Sequence, residues 1–135
     1  MNASQRRALF ERLRALNPHP ATELEYATPF ELLVAVILSA QATLESVNQA
    51  TRRLFPVANT PRAILALGVE GLAEDVRSIG LYRGKARNII ATCRTLLEQH
   101  GGTVPADRAS LEALPGGGRK TANVVLGDAF GRLEL

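Results

Sequence analysis

Apolar residues recur at helical spacing along most of this 135-residue chain, and proline, glycine and capping residues divide the pattern into short pieces. No stretch alternates apolar and polar residues with the period of a β-strand. The pattern therefore predicts about eight short helices and an all-α, multi-helix bundle. The predicted helices run from Ser4 to Leu16, Leu32 to Ala40, Thr43 to Phe55, Thr60 to Gly68, Val69 to Ile79, Tyr82 to His100, Asp107 to Leu114 and Arg119 to Asp128.

One predicted helix is apolar on nearly all sides. Thr28 and Glu31 have the spacing of a capping box, and Pro29 stands at the first helical position. The residues that follow, Leu32 to Ala40, leave no polar face for solvent. We expect this helix to lie at the centre of the bundle.

Composition narrows the class of protein. The single cysteine, Cys93, excludes an intrachain disulfide framework and indicates a reducing compartment. With only two well-separated histidines, a zinc or iron–sulfur site within these residues is not expected. The net charge of +3 is compatible with a nucleic-acid partner. The longest apolar run, Leu32 to Leu38, falls short of the ~20 residues that span a membrane. We expect a cytoplasmic protein with no membrane partner, and its oligomeric state stays open.

The segment from Leu111 to Leu126, LEALPGGGRKTANVVL, carries the candidate chemistry. A short helix is followed by a glycine-rich turn, and a second helix begins at Arg119. Glycines let the backbone approach another chain closely, and the first N–H groups of a helix attract a phosphate. Carbonyls of such a loop can also hold a monovalent cation. The alternative is an ordinary corner between two helices.

Six ordered blocks of sequence favour the phosphate-binding hairpin over an ordinary corner. Residues 114–122 (LPGGGRKTA) resemble the helix-hairpin-helix motif of the endonuclease III family of DNA glycosylases. Five further blocks occur in the family's order, and the resemblance covers residues 1 to 130. These blocks are 29–33 (PFELL), 38–43 (LSAQAT), 55–61 (FPVANTP), 79–82 (IGLY) and 88–90 (NII).

The resemblance implies a domain organisation. Residues 1–20 would form a helix of the family's second domain, and residues 21–135 the helical glycosylase domain, with the helix-hairpin-helix motif at 108–127. The second domain of the family holds a four-cysteine iron–sulfur cluster. Since those cysteines are absent from this sequence, the cofactor expectation is none, apart from a monovalent cation at the hairpin.

The resemblance also assigns a nucleophile. In bifunctional members the lysine at the position of Lys120 attacks C1′ of the damaged nucleotide, expels the base, forms a Schiff base and nicks the strand by β-elimination. Only two of the 16 basic residues are lysines, Lys85 and Lys120, and a guanidinium cannot serve as this nucleophile. The alternative role for Lys120 is a solvated contact to phosphate.

Other residues are expected to contact duplex DNA that carries a damaged or abasic site. Gln41 would fill the gap left by a flipped base, and Leu81 would be an apolar wedge on the opposite strand. Their alternatives are a polar helix end for Gln41 and core packing for Leu81. The hairpin contacts would come from Gly116, Gly118, Arg119 and Thr121. A β-branched residue at position 116 is expected to block the approach of a phosphate.

Three basic residues near the start of the long helix, Arg83, Lys85 and Arg87, are candidates for phosphate contacts. The alternative is a solvated, charged helix face.

Four departures from the family pattern affect the expected activity. The family's catalytic aspartate and its cluster cysteines lie beyond the hairpin and are not in this sequence. Gly117 replaces an apolar residue, which removes a packing contact and adds chain entropy. Leu44 stands where an aspartate is usual.

We therefore expect an endonuclease III-like glycosylase and abasic-site lyase acting on oxidised pyrimidines, strongly impaired in a truncated chain. The alternatives are a non-catalytic DNA-binding module and an inactive scaffold.

Overall fold

The computed structural model describes residues 23–130, in which six α-helices and one π-helical turn follow one another without a β-strand. The all-α class predicted from the sequence is confirmed. The helix predicted from Ser4 to Leu16 lies outside the described residues. The helices are α1 (Pro29–Ser39), α2 (Leu44–Leu54), α3 (Pro61–Asp75), α4 (Tyr82–Gln99), α5 (Arg108–Ala113) and α6 (Arg119–Val124), and the π-helical turn is Val125–Ala129.

Helix α1 is the centre of the bundle, as predicted. All nine residues from Phe30 to Leu38 are buried. Its start is fixed by Thr28, whose Oγ1 accepts a hydrogen bond from the Glu31 N–H at 3.1 Å. The buried Glu31 carboxylate accepts in turn from the N–H of Ala27 at 2.8 Å and from Nδ2 of Asn59 at 3.2 Å. The helix is therefore held in one direction through the core, which fixes where its C-terminus emerges.

The two helices predicted from Thr60 to Gly68 and from Val69 to Ile79 together form α3. Gly68 lies inside it with φ 72° and ψ 173°, so the helical path breaks at the residue where the first predicted helix ends. A left-handed φ is accessible to glycine without the steric cost that a Cβ brings. The second part ends at Asp75, four residues before the predicted end, because Val76 leaves the helical conformation and a turn leads to Gly80.

Helix α4 is the longest described helix, and it packs against α1 and α3. Its buried stripe contains Ala86, Ile89, Ile90 and Cys93, as the spacing predicts, and ends on Leu96, with Leu97 only half-buried. Either leucine satisfies a 3.6-residue period after Cys93, so the pattern alone does not choose between them.

Cys93 supplies a test of this core. Its side chain is fully buried, and burial raises the pKa of its thiol to about 12. Since the thiolate is the reactive form, we expect a disulfide reagent such as Ellman's reagent to leave Cys93 unmodified at pH 8 in native buffer and to modify it fully in denaturant. Rapid reaction in native buffer would contradict the described packing.

Candidate nucleic-acid interface

An open groove of about 1080 Å³ lies where three elements converge. Its walls are the C-terminal end of α1, residue 81 with the first turns of α4, and residues 115–121. The sequence places these elements far apart along the chain, and the central position of α1 brings them together.

The hairpin predicted between two short helices is present. Asp107 caps the start of helix α5, where its carboxylate accepts a hydrogen bond from the Ser110 N–H at 2.9 Å. The turn closes when the Gly117 N–H donates to the Leu114 carbonyl at 2.8 Å. Helix α6 then starts from Gly118, which has an extended backbone and provides no side-chain cap. The first N–H groups of α6 therefore lack the intrahelical acceptors that later residues have.

The three glycines of the turn face different surroundings. A Cβ on Gly116 would lie 2.5 Å from Cδ1 of Ile37, and one on Gly117 would overlap the Leu111 carbonyl oxygen. A Cβ on Gly118 would meet no atom within 4 Å. A side chain at Gly116 was expected to block the approach of a phosphate. This reason is wrong, because a Cβ at Gly116 points towards α1. Gly117 likewise leaves no gap for an apolar side chain, since the turn has closed against α5.

The hairpin is tied to the rest of the bundle by Thr92. This residue of α4 is buried, and its Oγ1 accepts a hydrogen bond from the Gly116 N–H at 2.9 Å. The bond joins residues 24 apart in the sequence and holds the turn in place against α4 at the wall of the groove. Thr92 was not among the residues predicted from the sequence to form the site.

The candidate nucleophile faces the groove. Lys120 is the second residue of α6 and is exposed, as is its neighbour Arg119, and both line the groove. Thr121 also lines it but is 9% exposed, so little of its side chain is available to a partner. An exposed lysine amine in the wall of a groove can reach a molecule bound there.

Gln41 and Leu81 share an unusual backbone conformation. Among the described residues they are the only non-glycine residues with positive φ, 56° for Gln41 and 61° for Leu81. A left-handed non-glycine residue costs about 1–3 kcal/mol and persists where surrounding structure holds it, often at functional sites. Leu81 is 67% exposed, which excludes the alternative that it packs in the core. Gln41 is also exposed, two residues after the end of α1.

Of the three basic residues at the start of α4, only two face solvent. Arg83 and Arg87 are exposed, and Arg83 lies over the ring of Tyr82, 5.5 Å from its centroid. Lys85 is 6% exposed, and its Nζ donates to the Leu38 carbonyl at 2.9 Å. Burial lowers the pKa of Lys85. The expected phosphate contact and the alternative solvated face are therefore both wrong for Lys85, because its amine is used inside the protein.

The spacing of residues along α4 contains a signal that both Lys85 and Thr92 lie inside the protein. Lys85, Ile89, Thr92 and Leu96 follow one another at spacings of four, three and four residues, which is one face of a helix. Two of these four are strongly apolar and buried, so the polar members of the same face were also to be expected inside.

Neither a metal centre nor a membrane helix is found in residues 23–130. These residues contain no group of three or more histidine, cysteine, aspartate or glutamate side chains that could hold a metal ion. Cys93 lies in the core by itself, so the donors present do not fit a four-cysteine cluster. No helix in this range is long and apolar enough to cross a membrane.

Comparison with known families agrees with this geometry. Residues 34–131 match the HhH-GPD superfamily of base excision DNA repair proteins. The chain belongs to this superfamily. The match includes α4, the hairpin and most of α1, which together form the groove.

Similar HhH-GPD proteins are longer than this chain. It is 66% identical over 131 residues to endonuclease III of Escherichia coli (strain K12) and 63% identical to endonuclease III of Haemophilus influenzae. Each alignment includes 97% of this chain and 62% of the relative. The chain therefore spans less than two thirds of the length of these relatives.

Solved structures show the same fold. A non-covalent endonuclease III–DNA complex and a trapped endonuclease III–DNA covalent intermediate each give a TM-score of 0.79 at 48% identity. The alignments include 97% of this chain and 61% or 62% of those chains. A thermostable thymine-DNA glycosylase, at 23% identity and TM-score 0.77, shows the fold alone.

Proposed function

We propose that this HhH-GPD chain recognises duplex DNA at a damaged or abasic site and acts there as an endonuclease III-like glycosylase and abasic-site lyase. The observation that carries the proposal is the groove, where the exposed amine of Lys120 and the exposed, left-handed Leu81 face the same space. Solved endonuclease III structures in the non-covalent and covalent states with DNA support it. A cytoplasmic location, the compartment that holds the DNA of bacteria such as Escherichia coli, belongs to the same proposal.

Each site residue has a role in this proposal. Leu81 and Gln41 enter the duplex beside the lesion, and the turn with Gly118 and Arg119 holds the phosphate backbone. The Gly116 N–H is already bonded to Thr92, so Gly116 contributes by fixing the turn, whereas the backbone N–H of Thr121 lies in the first turn of α6. A monovalent cation on the loop carbonyls would add to the phosphate contact, and the lyase reaction does not require it.

The lyase step uses the Lys120 amine. At an abasic site, Nζ attacks the C1′ aldehyde of the open sugar, and loss of water gives an imine. Removal of a C2′ proton then expels the 3′ phosphate as the C3′–O bond breaks, and water releases the lysine from the product. An abasic site has no base left to expel, so this sequence of steps requires no carboxylate to assist base departure.

Trapping with borohydride tests the proposal. Borohydride reduces the imine to a stable amine, so the 135-residue chain should yield a covalent adduct with duplex containing an abasic site. Duplex containing an oxidised pyrimidine should yield far less, because there the base must first leave. A folded, DNA-binding chain that yields no adduct with abasic duplex would contradict the lyase and support a non-catalytic binding module.

Salt dependence tests the binding part separately. Arg83, Arg87 and Arg119 are exposed and line the groove. If each neutralises one phosphate, affinity for undamaged duplex should fall about 40-fold between 50 and 200 mM monovalent salt. Arg87→Gln should reduce the slope of log affinity against log salt by about 0.9. Arg94→Gln, on the same helix outside the groove, should leave the slope unchanged. Equal slopes for the two variants would show that the DNA does not bind in the groove.

A further inference from the structure

Lys85 is a buried cation outside the proposed chemistry. Its side chain is 6% exposed, and its Nζ donates to the Leu38 carbonyl, 47 residues earlier in the chain. No carboxylate in residues 23–130 forms an ion pair with it. Leu38 lies in the last turn of α1, where the carbonyl groups have no intrahelical donors and the helix dipole favours a cation.

Packing alone does not account for a lysine at this position. Burial of an ammonium group is costly unless hydrogen bonds compensate for the lost water, and apolar replacements of similar volume are often neutral or stabilising. A methionine would fill the same space without that cost. What a methionine lacks is the bond to the end of α1.

That bond joins the two segments that carry the left-handed residues Gln41 and Leu81. The Lys85 N–H donates to the Leu81 carbonyl at 3.1 Å, so its main chain belongs to the turn that starts at Leu81. Its side chain reaches Leu38, three residues before Gln41. One residue therefore connects the backbone of the left-handed Leu81 to the helix end from which the left-handed Gln41 emerges.

We propose that Lys85 is a positioning residue, which holds the Gln41 and Leu81 segments at the spacing needed for both side chains to enter duplex DNA at a lesion. This inference rests on the proposed function of the groove. It assigns Lys85 no contact with the reacting atoms. Under this proposal, recognition of the lesion depends on Lys85, whereas general duplex binding depends on the hairpin and the exposed arginines.

The test compares Lys85→Met with Arg94→Met, which removes the same charge from an exposed position on the same helix. Affinities are measured for intact duplex and for duplex with a tetrahydrofuran abasic analogue. Fluorescence of 2-aminopurine beside the analogue reports unstacking. For Lys85→Met, the affinity for intact duplex should change little. The preference for the abasic analogue should fall about tenfold, and the fluorescence increase should be lost. Arg94→Met should preserve both the preference and the fluorescence increase.

Coupling to Leu81 distinguishes positioning from a general loss of structure. In a Leu81→Ala background, Lys85→Met should reduce the preference much less than it does alone, because the side chain that it positions is already missing. Full additivity of the two substitutions would overturn the proposal. Circular dichroism verifies the helices of each variant. If Lys85→Met does not fold, Lys85→Gln is used instead, because it keeps a donor on a shorter side chain. A reduced preference for the abasic analogue in Lys85→Gln supports the proposal, and an unchanged preference overturns it.

The two proposals fail in different ways. Suppose the unmutated chain prefers abasic duplex and yields the borohydride adduct, while Lys85→Met keeps the full preference. Then only the positioning role is overturned. An unmutated chain that shows neither preference nor adduct overturns the function of the groove and the role of Lys85 with it.

Discussion

Lys120→Ala is expected to abolish the borohydride-trapped adduct with abasic duplex. Of the two lysines in the chain, Lys120 is exposed in the groove, whereas the Lys85 amine is buried and bonded to the Leu38 carbonyl. An imine requires a primary amine that can reach the aldehyde carbon, so no second lysine can substitute. The measurement is the yield of cross-linked species on a denaturing gel after reduction.

Lys120→Arg is the matched control for this prediction. It keeps a positive charge for phosphate, so duplex affinity should remain close to that of the unmutated chain, but a guanidinium does not form the imine. If Lys120 were only a phosphate contact, Lys120→Arg would retain the adduct. An adduct of undiminished yield from either variant would assign the chemistry to another amine.

Valine at two positions of the hairpin should weaken DNA binding in both cases but lower thermal stability at only one of them. At Gly116 the new Cβ would meet Ile37 at 2.5 Å and Thr92 Oγ1 at 3.1 Å, so the turn must move away from α1 and α4. Overpacking of this kind costs about 1–3 kcal/mol of the free energy of unfolding. We therefore expect Gly116→Val to lower the melting temperature by roughly 10 °C and to weaken binding to every duplex alike.

Gly118→Val is the comparison. A Cβ there meets open space, and the extended backbone of Gly118 accepts any residue. Thermal stability should stay nearly unchanged, whereas duplex affinity should fall about tenfold because the valine stands where the phosphate backbone would approach. If Gly118→Val instead destabilised the fold and Gly116→Val did not, the described turn would be wrong.

The sequence predicted those features that depend on local chemistry. Thr28 and Asp107 cap their helices as their residue types indicate, and Gly68 breaks α3 where a glycine was expected to end a helix. The hairpin was recognisable because glycine-rich turns and helix starts have strong local signatures. Lys120 was found through the same motif, and its exposure in the groove is consistent with the role predicted for it.

Features that depend on tertiary contacts could not be read in the same way. Neither glutamine nor leucine favours a left-handed backbone, so the conformation of Gln41 and Leu81 comes from the segments that hold them. Lys85 stands among charged neighbours in the sequence, yet the helix turns it towards the end of α1. The need for glycine at position 116 likewise depends on Ile37, which is 79 residues earlier in the chain.

Mass-spectrometric mapping of the reduced adduct identifies the amine that forms the imine without any substitution in the chain. The unmutated chain is trapped on abasic duplex, the DNA is digested to the sugar remnant, and the modified peptide is sequenced. The candidate amines are Lys85, Lys120 and the N-terminal amine. The remnant is expected on Lys120. A remnant on Lys85 or on the N-terminal amine, with Lys120 unmodified, would contradict the role of Lys120 as the nucleophile.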